Sequence, residues 1–153
     1  MKLGLIVYSE SGHTLSVVSQ IEEILIQKQI EVKKMTLHSQ IEKGTRILVE
    51  PPQLESCDAY IIASAVQGFQ LAKPMSDYLV RNPLPRGAKI GILLTEYFKV
   101  MFLGGNYSLK QAKATIDVSS HPVVVEKVIH WSSKKREEQI KEAVTLFTEV
   151  WDE

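Results

Sequence analysis

Residues 3–14 read LGLIVYSESGHT, an apolar run that changes abruptly into a hydroxyl-rich segment containing one glycine. The apolar part, Leu3 to Tyr8, has the length and character of a strand that is covered by helices on both faces of a parallel sheet. From Thr14 onward, apolar residues recur at helical spacing, which predicts an amphipathic helix. This segment therefore predicts a buried strand, a short polar loop and a helix.

The same alternation is predicted further along the chain. Shorter apolar runs predict a second strand around Ile30 to Leu37, and then strands at Ala59–Ser64, Ile90–Thr95 and Val123–Ile129. Helices are predicted from Pro74, after Asn106 as a possible N-cap, and from Ile140 to Trp151. Residues 38–56 show no clear period and predict at most one short helix.

Strands that alternate with about five helices predict an α/β fold with a doubly wound parallel sheet and helices on both faces. The 153 residues suit a single domain spanning positions 1–153. In such folds, ligands bind beyond the carboxyl ends of the strands, where the strand order reverses. The loops after the first, third and fourth predicted strands are therefore where we expect a site.

Charge and composition narrow the classes of function. Lys plus Arg equals Asp plus Glu, at 18 each, and Lys134–Arg136 is the longest basic run, which gives little electrostatic basis for binding nucleic acid or a membrane surface. The single cysteine, Cys57, excludes an internal disulfide and a Cys-x-x-Cys pair and fits a reducing compartment. No apolar run reaches the length of a membrane span or a secretory signal, so a cytoplasmic location is expected.

The loop Ser9-Glu10-Ser11-Gly12-His13-Thr14 has the composition of a phosphate-binding nest. Amide groups at a helix N-terminus have no internal partner and carry a partial positive charge, so they can hold a phosphate without Lys or Arg. Ser9, Ser11 and Thr14 add hydroxyl donors, and Gly12 allows close approach or an unusual backbone angle. The alternative for Ser11 or Thr14 alone is ordinary helix capping.

Two other phosphate-binding motifs are missing from the sequence. Neither G-x-G-x-x-G nor G-x-x-x-x-G-K-[ST] occurs, which argues against ATP or GTP hydrolysis. His38, His121 and His130 show no metal-ligand spacing. Cys57 is interpreted as a small packed residue and not as a nucleophile.

Residues 8–14 resemble the signature of the flavodoxin family, [ST]-x-[ST]-G-x-[ST] after a strand end, which surrounds the phosphate of flavin mononucleotide (FMN). Residues 58–69 are similar to the third strand and following loop of that family, and residues 94–98 with Gly104–Gly105 resemble the loop after its fourth strand. The resemblance spans nearly the whole chain and indicates the short-chain form. It implies a flavodoxin-like sheet of order 2-1-3-4-5 and FMN as the cofactor.

The resemblance also implies which residues contact FMN. The phosphate loop is Ser9 to Thr14, and the ring loops are Ala65-Val66-Gln67-Gly68-Phe69 and Thr95-Glu96-Tyr97-Phe98, with Gly104. Phe69, Tyr97 and Phe98 are candidates for stacking on the ring, and each is alternatively a core residue. Glu10 is expected to point outward, because it would repel a phosphate. His13 either donates a hydrogen bond to the phosphate or is solvated.

The favoured function is an electron carrier that cycles FMN between oxidised, semiquinone and hydroquinone states and docks to reductase and acceptor proteins. The balanced charge departs from the acidic excess of similar carriers. The alternative is an FMN-dependent oxidoreductase that takes hydride from NAD(P)H to a quinone, and a flavin-free regulatory or interaction domain is the third possibility. The sequence leaves open a monomer or a homodimer.

Overall fold

The computed structural model describes residues 1–68, 70–97 and 105–152, with residues 105 and 106 described by their backbone alone. The strands are β1 (Lys2–Tyr8), β2 (Glu31–Glu42), β3 (Thr45–Val49), β4 (Ala59–Gln67), β5 (Gln70–Leu71), β6 (Lys89–Glu96) and β7 (Val123–His130). The helices are α1 (His13–Gln27), α2 (Lys73–Arg81), α3 (Gly105–Ile116) and α4 (Arg136–Glu149), with a short 3-10 helix at Val118–Ser120.

The strands form one sheet of order β3-β2-β1-β4-β6-β7, and β5 pairs with β4. The pairs β1–β2, β1–β4, β4–β6 and β6–β7 are all parallel. The five predicted strands correspond to β1, β2, β4, β6 and β7, so the predicted order 2-1-3-4-5 is confirmed. The strands β3 and β5 are short antiparallel additions to this parallel sheet.

About five helices are predicted, and residues 38–56 are predicted to hold at most one short helix, but this segment contains the end of β2 and the strand β3 instead. Here β2 continues to Glu42, turns at Lys43 and Gly44, and returns as β3. Both turn residues have left-handed backbone angles, with φ of 51° and 77°, as a two-residue hairpin with the right-handed strand twist requires. A hairpin therefore takes the place of the second predicted helix, and four α-helices lie in the described ranges.

The two faces of the sheet bury two separate apolar clusters. In β1, Leu3, Leu5 and Val7 face a cluster with α1 and α4, whereas Ile6 and Tyr8 face a cluster with α2 and α3. This is the alternation expected of a strand covered on both sides, and the predicted helices on both faces are confirmed.

Two smaller expectations also have outcomes. The helix α3 begins at Gly105, so Asn106 lies inside its first turn and is not the N-cap. Cys57 is buried, and burial raises the pKa of its thiol, which fits a packed residue better than a nucleophile. In the part of the chain that the structure describes, no helix is both long and apolar enough to cross a membrane.

The register of the parallel strands places the expected site. Tyr8 at the end of β1 lies opposite Ser64 in β4, and Ala65 in β4 lies opposite Thr95 in β6. The carboxyl ends of the three strands therefore lie at the same edge of the sheet. The three loops predicted to form the site follow directly from that edge.

Candidate functional site

The loop between β1 and α1 directs backbone amides toward one point. Gly12 has a φ of +87° and occupies the N-cap position of α1. The N–H groups of Gly12 and Leu15 both donate to Ser9 Oγ, at 3.1 and 3.3 Å. The first turn, residues 13–16, reads HTLS and carries no acidic side chain. Convergent amides at a positive helix end are an arrangement that can hold an anion.

Ser11 and Thr14 do not act as ordinary caps of α1. The N-cap is Gly12, which has no side chain to cap with, and Ser11 is exposed. Thr14 is buried, and its Oγ1 lies 2.7 Å from Thr95 Oγ1 at the end of β6. This hydrogen bond links the start of α1 to the end of β6. It also engages the Thr14 hydroxyl, which the sequence analysis predicted to donate to a phosphate.

Glu10 is held by a polar cluster on the hairpin side of the loop. Arg46 Nε lies 2.6 Å from Glu10 Oε1, and the Tyr8 hydroxyl donates to the same oxygen at 2.8 Å. Tyr8 also contacts Ser39 Oγ at 2.8 Å. The guanidinium of Arg46 therefore compensates the Glu10 charge beside the loop between β1 and α1. The sequence analysis did not find Arg46, because the hairpin that carries it was not predicted.

A cleft of about 240 Å³ opens where the three loops meet. Its walls come from the end of β1 and start of α1, the end of β4, the end of β6 and the segment after β7, namely Glu10, Ser11, His13, Ala65, Val66, Gln67, Thr95, Glu96, Tyr97 and Trp131. Gly68 follows Gln67 with a left-handed φ of +54°. The remaining predicted site residues, Phe69, Phe98 and Gly104, lie outside the described residues.

Trp131 is a wall of the cleft that the sequence analysis missed. Its ring stacks on His13, with centroids 4.1 Å apart and an interplanar angle of 13°, and Arg136 Cζ lies 5.3 Å from the Trp131 ring centre. His13 therefore has a third role, stacking, beyond the two that the sequence left open. Trp131 follows directly on β7, and an aromatic residue at the carboxyl end of a further strand was the available signal.

The segment after β7 is fastened to the end of β6 by its backbone. The Trp131 N–H donates to Glu96 O at 2.6 Å, and the Ser132 N–H donates to Tyr97 O at 3.2 Å. The Ser132 hydroxyl donates to the same Tyr97 carbonyl. These bonds hold Trp131 beside Tyr97, so the cleft has two aromatic walls. Tyr97 is 66% exposed.

Glu96 is the buried acid of the cleft. Glu96 is 2% exposed, and burial raises the pKa of its carboxyl above the usual value, although the electrostatic effect of His130 partly opposes this rise. His130 lies opposite Glu96 in the register of β6 and β7 and is itself buried. A carboxyl in this environment favours its neutral form.

Comparisons with known proteins identify the fold. Comparison with protein-family models gives no match, and comparison with curated proteins gives none. Among solved structures, a flavodoxin from Archaea superimposes with a TM-score of 0.66 at 14% identity, covering 98% of this chain and 96% of the other. The two-electron reduced flavodoxin of Megasphaera elsdenii gives a TM-score of 0.68 at 12% identity, with coverages of 96% and 98%.

The fold is flavodoxin-like. The Trp repressor binding protein of Bacillus subtilis shares it, with a TM-score of 0.64 at 11% identity over 100% of both chains. Proteins with different names thus share the flavodoxin-like fold, and sequence identities this low establish only the architecture of this chain. What this chain binds has to be argued from its own loops.

Proposed function

We propose that the protein binds FMN in the cleft and carries electrons through it. The observation that supports this is the meeting of an anion-binding loop, Ser9 to Thr14, with a cleft whose walls include Tyr97 and Trp131. A mononucleotide of flavin has the two matching parts, a phosphate and a planar aromatic ring. Bound FMN would supply one-electron and two-electron redox chemistry.

The residues present fit these two parts. The N-terminal end of α1 and the hydroxyl of Ser9, whose oxygen accepts from the Gly12 and Leu15 amides, would hold the phosphate, and the ion pair with Arg46 would reduce its repulsion by Glu10. The cleft, with Tyr97 and Trp131 in its walls, would take the ring, and the phosphate would lie at the loop. The backbone of Gln67 and Gly68 would border the ring opposite Tyr97.

We favour an electron carrier over a reductase because the exposed Tyr97 lies in the wall of the cleft. A carrier exchanges electrons at the edge of its cofactor and needs no second ligand, and the exposed Tyr97 leaves that edge near the surface. A reductase also needs room for a nicotinamide or quinone beside the flavin. The balanced charge, 18 against 18, is the observation that favours the NAD(P)H-dependent reductase as the second candidate.

The test is a visible absorption spectrum of the purified protein with added FMN, followed by stepwise anaerobic reduction. A perturbed flavin spectrum and two separate one-electron steps, without steady NAD(P)H consumption in the presence of a quinone, are expected of the carrier. A single two-electron step with steady NAD(P)H consumption would replace the carrier with the reductase. An unperturbed flavin spectrum would contradict both and leave a flavin-free regulatory or interaction domain.

A further inference from the structure

The Glu96 carboxyl combines burial with a position on the wall of the cleft. Glu96 is the last residue of β6, is 2% exposed, and lines the cleft together with Thr95 and Tyr97. Its backbone carbonyl accepts a hydrogen bond from Trp131, so the residue is fixed between β6 and the segment after β7. The backbone of Glu96 is therefore fixed at the wall of the cleft, and its side chain is buried there.

The carboxyl lacks hydrogen-bond partners within the protein. Among the described residues, neither Glu96 Oε1 nor Glu96 Oε2 has one. Burying a charged carboxylate without partners costs far more than burying a neutral acid, so the burial of Glu96 favours its protonated form. A neutral carboxylic acid has one O–H donor, and a buried donor left unsatisfied destabilises the site until something accepts its hydrogen bond.

The charged and titratable groups around Glu96 do not replace this missing acceptor. From β7, His130 exerts an electrostatic effect that lowers the pKa of Glu96, but this is smaller than the opposite effect of burial. Glu10 is paired with Arg46, and His13 is stacked on Trp131. The other titratable groups that line the cleft are Glu10, His13 and Tyr97, while His130 lies opposite Glu96 on β7 and Arg136 lies over the Trp131 ring.

We propose that Glu96, as a neutral acid, donates its O–H as a hydrogen bond to an acceptor atom on the ring of the ligand in the cleft. The inference rests on the proposed binding of FMN, whose ring carries carbonyl oxygens and imine nitrogens as acceptors. Glu96 is then a binding residue that selects ring ligands with an acceptor edge. It also couples ligand affinity to pH, because the ionised carboxylate has no proton to donate.

The coupling has a defined sign. Below the pKa of Glu96 the acid is neutral and donates to the ligand. Above it, a carboxylate faces the acceptor atoms and repels them. Affinity for FMN should therefore fall as pH rises through this pKa. A glutamine at position 96 keeps an N–H donor and cannot ionise, so E96Q should bind FMN with little dependence on pH.

The experiment is a titration of the apoprotein with FMN, followed by flavin fluorescence across a series of pH values for wild type, E96Q and E96L. The exposed Glu142, which is paired with Lys127, gives the control variant E142Q. We expect wild type and E142Q to lose affinity with rising pH and E96Q to stay flat. E96L, which has no donor, should bind about tenfold more weakly than E96Q at low pH.

A second readout does not require the flavin. The infrared spectrum of the apoprotein should retain the carbonyl stretch of a protonated carboxylic acid at pH values above the ordinary glutamate pKa, and E96Q should lose it. Equal pH profiles in wild type and E96Q, or a missing acid band, would overturn the inference while leaving FMN binding intact. If wild type binds no FMN at any pH, the proposed function fails and the inference fails with it.

Discussion

Gly12 is the residue on which the anion-binding loop depends. Its φ of +87° lies in the left-handed region, and a Cβ built there meets nothing within 4 Å. The cost of a side chain at this position is therefore conformational and not steric. Placing a residue with a Cβ in this region costs roughly 1–2 kcal/mol.

We expect G12A to lose roughly 1–2 kcal/mol of stability, or to flatten the loop and turn its amides away from their common point. In either case, FMN affinity should fall. Gly87 offers a matched control, because its φ is +84°, its Cβ would also meet nothing within 4 Å, and it lies outside the cleft. Denaturant unfolding should show a similar loss for G12A and G87A, whereas FMN titration should change only in G12A. Equal FMN affinity in G12A and wild type would show that the loop does not contribute to FMN binding.

The hydroxyl of Tyr60 is hydrogen-bonded to two backbone groups in the segment that precedes β4. It accepts a hydrogen bond from the Cys57 N–H at 2.9 Å and donates to Glu55 O at 2.5 Å. Burial raises its pKa to about 12. The neutral phenol is thus favoured in the folded state, and its contribution is complete below the unfolded pKa of about 10 and is lost as pH rises through about 12.

Y60F should destabilise the protein by about 1–3 kcal/mol at neutral pH, because it leaves two backbone groups without their partner. The difference between wild type and Y60F should shrink between pH 10 and about 12, where wild type loses the contribution of its phenol. Denaturant unfolding at several pH values measures this difference. A constant difference across the range would mean that Tyr60 titrates normally in the folded protein.

The hairpin of β2 and β3 places a cation beside the anion-binding loop. Arg46 on β3 reaches Glu10 at 2.6 Å, although the two residues are far apart in sequence. The ion pair is partly exposed, and such pairs contribute at most about 1 kcal/mol to stability. The ion pair should have a larger effect on the affinity for a negatively charged ligand, because an uncompensated Glu10 would repel a phosphate.

We expect R46Q to weaken FMN binding roughly three- to tenfold at low ionic strength, with little effect on stability. The double variant R46Q/E10Q should recover the affinity, since the repelling charge is then gone. Lys73 forms an exposed pair with Asp77 at 2.6 Å on α2, so K73Q controls for the loss of one positive charge. If K73Q and R46Q weaken binding equally, the effect is one of net charge and not of Glu10.

The strands that sequence predicts well are those whose apolar pattern is set by burial on both faces. The strands β1, β4 and β6 have such continuous runs, and their register brings three predicted loops together. The hairpin was not predicted because residues 38–49 are mostly polar and none of them is fully buried, so no hydrophobic period marks them. Arg46 and Trp131 were missed for a related reason, because they reach the site from segments that the resemblance did not assign to it.

Stability should depend on pH through Glu96. Its pKa is raised by burial, so its contribution to folding is complete below the ordinary glutamate pKa and is lost as pH rises through the folded-state pKa. Wild type should therefore lose stability over this interval, and E96Q should not. In Glu142, the hydrogen bond from Lys127 lowers the pKa, so E142Q should be less stable than wild type above the ordinary glutamate pKa, and this difference should disappear at more acidic pH. Identical curves for wild type and E96Q would show that Glu96 ionises freely when folded.

The account as a whole rests on a phosphate held at Ser9 to Thr14 and a ring held in the adjoining cleft. Riboflavin has the same ring as FMN and lacks the phosphate, so the two ligands separate these contacts. Titration of the apoprotein with each, followed by flavin fluorescence, should give binding of FMN that is tighter by roughly tenfold or more, since hydrogen bonds to a charged group contribute about 1.5–3 kcal/mol each. Equal affinities for FMN and riboflavin, or no binding of FMN, would contradict the account.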